Sequence, residues 1–233
     1  NIVFPDADLE NAVTGAIKGI FAASGQTCIA GSRLFLHEEI AEPFLDRLVE
    51  RTEQIELGDP LDEATEMGPI VSEAQLAGVT NHVERALDNG ATLLTGGPER
   101  DVPDGPFYPP TVLTDVTNDM PIAREEVFGP VLAVLTFETE DEVLEKANDS
   151  EFGLASGVWT KDIQRGHRMA DALEAGVVWL NTYRKSSFTM PFGGFKQSGI
   201  GVEKGTEAIE EYVQTKSVWV ETEDEVSDPF RLV

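Results

Sequence analysis

Residues 154–180, LASGVWTKDIQRGHRMADALEAGVVWL, hold the pattern that decides the fold. A β-rich run over 154–159 is followed by helical spacing over 162–175, read as ended by Gly176, and then by a second β-rich run, Val177–Leu180. Two strands joined through a helix of that length are parallel neighbours, because the crossover has to carry the chain back along the sheet.

The same alternation extends toward the N-terminus. Val131–Phe137 and Thr111–Thr114 are β-rich, 141–148 is helical, and a helix from about Ser72 to Asn89 is stopped by Gly90 and followed by Thr92-Leu93-Leu94. The acidic, Pro- and Gly-bearing segment 58–69 reads as a loop. Ile40, Phe44, Leu45, Leu48 and Val49 mark a helix running to about Ile55, and Leu34-Phe35-Leu36 a buried strand. Leu9, Val13, Ala16, Ile17, Ile20 and Phe21 predict a helix over roughly 9–23, with Asp6 and Asp8 offering capping oxygens. Ile2-Val3-Phe4 is a strand-like run already under way at Asn1, where no Met stands, and further sequence is expected ahead of it. The implied class is α/β: a layered, open, largely parallel sheet flanked by helices, with a C-terminal extension strand. The expected division is an α/β domain over 1–200, a short helix near 206–213 and an edge strand within 201–223, and an acidic tail over 224–233.

Cys28, the single cysteine, lies in FAASGQTCIAGSR (21–33), where the helical pattern gives out. Ser24, Gly25, Ala30 and Gly31 around it leave room for a bound group to reach the sulfur and the nearby N–H groups. A nucleophile and a packed loop cysteine both satisfy these residues. In REEVFGP (124–130) a carboxylate pair precedes an aromatic and a Gly-Pro turn. It fits a grip on ribose hydroxyls, and equally a surface acid pair ahead of a strand. MPFGGFKQSGIG (190–201) lacks the Gly-Lys-Ser/Thr ending of a phosphate loop, and Gly199–Gly205 has one residue too many for the dinucleotide fingerprint. It reads as a glycine-bent connection with Pro191-Phe192 as an aromatic wall. His37, His82 and His167 show no metal-ligand spacing, so no metal is expected.

Taken in this order, FAASGQTCIAGSR, EEVFGPV and Asn181-Thr-Tyr followed by PFGGFKQSG resemble the C-terminal half of NAD(P)-dependent aldehyde dehydrogenases, over nearly all of 1–221. The resemblance implies that Cys28 attacks the aldehyde carbonyl, with its own backbone N–H as one oxyanion donor. It implies that Glu126, ahead of Glu125, contacts the nicotinamide ribose, that Phe128 packs near the coenzyme, and that Gln75 is a further coenzyme contact. Phe192 matches an aromatic beside the substrate channel, with Arg184, Lys185 and Ser186 at its variable mouth. The implied cofactor is NAD or NADP and the implied substrate a small aldehyde, oxidised to the acid through a thiohemiacetal and a thioester on Cys28.

The resemblance also implies that KSVWVE (216–221) pairs with another subunit in a homodimer or homotetramer. The family's general base, a glutamate in a Glu-Leu-Gly-Gly motif, its coenzyme domain and its oxyanion asparagine fall outside these 233 residues, so the isolated chain is expected to be inactive. One departure lies after Gly199, where Gly201-Val202-Glu203 stands in place of an Arg-Glu pair. Two competing readings are a non-catalytic piece that oligomerises through 206–221, and a cysteine hydrolase, which needs a histidine within reach of the Cys28 sulfur.

Composition bounds the setting. With 41% hydrophobic residues in 233, the chain can bury a substantial core. One cysteine excludes an intrachain disulfide, and with no signal-like or long apolar run the expectation is a soluble, cytoplasmic protein off the membrane. The 43 acids against 17 bases give a net charge of −26, a field that repels nucleic acid. The acids are scattered over every segment, as on a solvated surface, and fit a salt-rich cytoplasm that screens their repulsion. Stability is therefore expected to rise with salt: the thermal midpoint measured in molar KCl should exceed that in dilute buffer. Equal midpoints would rule the idea out.

Overall fold

The computed structural model describes residues 1–223 and Phe230. The chain runs through β1 (Ile2–Val3), α1 (Leu9–Ile20), β2 (Arg33–His37), α2 (Glu38–Glu53), α3 (Glu73–Asp88), β3 (Thr92–Thr95) and β4 (Thr111–Thr114). It continues through α4 (Pro121–Arg124), β5 (Val131–Phe137), α5 (Glu140–Asn148), β6 (Phe152–Gly153), β7 (Ala155–Trp159), α6 (Ile163–Ala172) and β8 (Val177–Leu180). Three two-residue strands follow, β9 (Phe192–Gly193), β10 (Phe195–Lys196) and β11 (Val202–Glu203). The main sheet has the order β3-β4-β5-β2-β1-β7-β8, parallel throughout except for β3 against β4. The strand-helix-strand unit read from 154–180 is present, with β7 and β8 parallel around α6.

Period-2 alternation divides the sheet residues between two buried faces. Ile2, Phe35, Ala133 and Leu135 face one core with Val79 and Val83 of α3, Val143 of α5 and Met169 of α6. Val3, Leu34, Leu36, Leu132 and Val134 face the other with Ala12, Ala16 and Ile20 of α1 and Phe44 and Leu48 of α2. The brief β1 therefore sits mid-sheet, paired on both sides, with Ile2 and Val3 both buried. Five helices start on side-chain caps: Asp8, His37, Ser72, Thr139 and Asp162 accept from backbone N–H groups of α1, α2, α3, α5 and α6.

Several expectations need correction. Asp6 does not cap α1; its carboxylate accepts from Thr160 Oγ1, from the Lys161 and Asp162 N–H groups and from Arg165, tying the end of β1 to the start of α6. The helix expected to run to residue 23 ends at Ile20, because Ala23 and Ser24 take the left-handed region (φ 56° and 54°) in a 3-10 turn over Ala22–Gly25. Gly176 does not end α6, which stops at Ala172 when Leu173 turns extended. Gly176 is needed instead for close approach, since any Cβ there would strike the carbonyl of Gly193. The helix near 206–213 is a 3-10 stretch, Glu207–Tyr212, with no buried residue. Segment 216–221 pairs with no strand among the described residues of this chain, and the pairing expected for it is with another subunit. The acidic tail over 224–233 lies outside the described residues apart from Phe230. Among the described residues no helix is long and apolar enough to cross a membrane.

Glycines test this packing in opposite directions. A Cβ on Gly15 of α1 would overlap the buried ring of Trp159, whereas one on Gly78 of α3 meets nothing within 4 Å. Gly15→Ala is expected to lower stability by about 1–3 kcal/mol in urea unfolding, despite the better helix former. Gly78→Ala should raise it by about 0.5–1 kcal/mol.

Candidate active site

The two motifs meet because they feed adjacent parallel strands from the same end. Cys28 precedes β2, the turn 125–130 precedes β5, and β2 pairs with β5 with Arg33 opposite Ala133. Loops entering neighbouring parallel strands at one edge lie side by side.

The cysteine loop is fastened at each step. Arg184 donates to the carbonyls of Lys18 (3.3 Å) and Ala22 (3.0 Å), acceptors that the end of α1 leaves unsatisfied. Ser24, itself buried, donates to the Gly68 carbonyl at 3.0 Å. Gln26 accepts from the Val71 N–H at 2.9 Å and donates to the Pro69 carbonyl at 3.5 Å, so the Gln of the Gly-Gln pair binds loop 69–71 to the cysteine loop. Gly31 closes back on the Gly19 carbonyl at 3.1 Å, with buried Tyr183 packed beside both glycines. Burial pushes the Tyr183 phenol well above its ordinary range, so it is a neutral wall. Cys28 is left exposed at the crest of this loop.

Opposite lies the turn. Glu125 is extended (φ −94°, ψ 147°) and Phe128 is left-handed (φ 52°), a strained state for an aromatic residue that leaves its ring 37% exposed. Gly25 (φ +69°) presses against the Gly129 carbonyl, so no side chain fits between the two loops. Glu125 is bonded by Arg85 (3.2 and 3.3 Å), which holds its carboxyl below the ordinary glutamate range. Glu126 is exposed and makes no hydrogen bond or ion pair with the described residues. A cleft of about 370 Å³ runs between the loops, and Cys28, Thr27, Glu125, Glu126 and Phe128 all line it.

The other residues singled out from sequence lie elsewhere. Gln75 donates to the carbonyls of Val127 and Phe128, 3.0 Å each, and so braces the turn from behind. Arg184 is turned inward onto α1, Lys185 is exposed, and the Ser186 hydroxyl accepts from Lys204 at 2.7 Å. Lys204 also stands 5.4 Å from the centre of the half-buried Phe192 ring. None of Gln75, Arg184, Lys185, Ser186 and Phe192 lines the Cys28 cleft. No histidine lines it either, so a Cys-His hydrolase gains no support. Sequence reading missed Arg85 and His82. Their signal was their helical spacing from Gln75, legible only once that face of α3 is known to meet the turn.

Comparison with known proteins identifies the family. A family model described as aldehyde dehydrogenase family matches residues 1–218. The betaine aldehyde dehydrogenase of Brucella anthropi is 53% identical over 223 residues, covering 94% of this chain and 46% of the relative. The NAD+ complex of aldehyde dehydrogenase from Bacillus cereus superposes with a TM-score of 0.92 at 49% identity, over 96% of this chain and 45% of that one. Betaine aldehyde dehydrogenase from Staphylococcus aureus in complex with NAD+ gives 0.96 at 41% identity, over 99% and 46%. The chain thus spans just under half the length of these relatives, and it belongs to the aldehyde dehydrogenase family.

Proposed function

We propose that these residues supply the nucleophile and part of the coenzyme grip for oxidation of a small aldehyde to its carboxylic acid with NAD or NADP. The carrying observation is the shared cleft: an exposed thiol on a fastened loop faces an unengaged carboxylate and a half-exposed aromatic. The names of the relatives, aldehyde and betaine aldehyde dehydrogenases solved with NAD+, support the same reading.

Cys28 as thiolate attacks the carbonyl carbon; a C–S bond forms and the carbonyl oxygen takes the negative charge as a thiohemiacetal. The Cys28 backbone N–H, at the crest of the loop, donates to that oxygen. Glu126, acceptor-only when ionised, receives the hydroxyls of a ribose, and Phe128 offers a ring face for a flat heterocycle. The residues thus fit the ribose end of a nicotinamide coenzyme, which when bound supplies the hydride acceptor. The acyl group left on Cys28 is a thioester; water cleaves its C–S bond and returns the thiol. The glutamate that serves the family as base sits in a motif this sequence does not contain, so residues 1–233 alone are proposed not to turn over.

We propose 1–200 as the catalytic unit and 201–223 as a bridging and assembly extension. Val218, Trp219 and Val220 are 75%, 94% and 76% exposed, an apolar run that favours pairing with a second subunit in a dimer or tetramer.

In the complete protein, assayed against neutral, anionic and betaine aldehydes with both coenzymes, Cys28→Ala is expected to lower kcat by at least about a thousandfold with the circular dichroism spectrum unchanged. Glu126→Gln should raise the coenzyme KM by about tenfold. Retained turnover in the Cys28 variant defeats the reading. Trp219→Lys should reduce the mass measured by light scattering, and a wild type that is already monomeric removes the assembly role.

A further inference from the structure

α3 presents one stripe to the turn 125–129. Gln75, Val79, His82 and Arg85 follow at steps of four, three and three, which places them on a single helix face. Arg85 donates through both terminal nitrogens to the Glu125 carboxylate, and His82 Nδ1 stands 3.7 Å from it. A Cβ on Gly129 would overlap Val79, and Gln75 holds the carbonyls of Val127 and Phe128. Each of these polar contacts is thus to Glu125 or to backbone, and none is to Glu126.

We infer that Arg85, with His82 and Gln75 beside it, is a positioning residue that makes Glu126 rather than Glu125 the coenzyme-facing carboxylate. This rests on the coenzyme reading of the turn. In extended backbone, consecutive side chains point to opposite sides. Pinning extended Glu125 to α3 therefore turns Glu126 away from α3, while Gln75 fixes the two carbonyls behind it. Burial lowers His82 from its ordinary 6.5, so above that pH His82 is a neutral neighbour and the charge on Glu125 is paired by Arg85. The pair is exposed, 41% and 49%, and adds little to stability. Its effect is on orientation.

The test uses the complete protein, with coenzyme KM from steady-state assays, NADH affinity from fluorescence titration, and thermal midpoints. Arg85→Met is expected to raise the coenzyme KM and the NADH dissociation constant about three- to tenfold, while the midpoint moves by less than about 4 °C. Arg85→Lys should recover part of the loss. In a Glu126→Gln background Arg85→Met should add less than about twofold, because it acts through Glu126. If Arg85→Met leaves NADH affinity within twofold of wild type, or costs as much in the Glu126→Gln background, the assignment is overturned while the coenzyme reading stands. A wild type that binds no NADH overturns both.

Discussion

A carbonyl oxygen lying against a bare α-carbon holds the site together. The Gly129 carbonyl occupies the space that any side chain on Gly25 would need, and Gly25 sits at φ +69°, where side chains are strained. Behind it, Gly129 meets Val79 of α3 with equally little room. The approach of thiol loop to carboxylate turn at residues 25 and 129 is thus set by backbone, and the Val79 side chain of α3 backs it.

The sheet makes that stacking available. Parallel strands are entered from the same end, so the loops before β2 and β5 are neighbours although nearly a hundred residues separate their motifs. Around them the chain satisfies polar groups with donors that sequence assigns to other work. Arg184, expected at a channel mouth, neutralises the carbonyl end of α1, where a cation is favoured. Half-buried Arg33 does the same for α5 through the carbonyls of Lys146 and Ala147. Gln26 and Gln75 each use their amides to hold backbone, one in front of the cleft and one behind it. Cys28 and Glu126, the groups proposed to carry the chemistry, are left without such duties.

Sequence by itself determined the layering. Apolar periods of 3.6 and 2 alternate cleanly from Ile2 to Leu180, and alternation of that kind has few solutions besides a parallel sheet covered on both faces. Thr111–Thr114, Val131–Phe137 and Val177–Leu180 have the same bounds in the structure, where each gives apolar residues to both cores. Cys28, Glu126 and Phe128 were legible too, through short motifs whose glycines answer to local backbone geometry. Tertiary structure decided what depends on contacts distant in sequence. Helix α1 stops at Ile20 because Ser24 and Gly25 are claimed by Gly68 and Gly129, which no local propensity records. Gly176 answers to Gly193, not to its own helix, and Asp6 to Thr160 and Arg165. The preference for Glu126 over Glu125 came from the resemblance of its motif; what separates the two physically is the Arg85 side chain on another element, which bonds Glu125 and not Glu126.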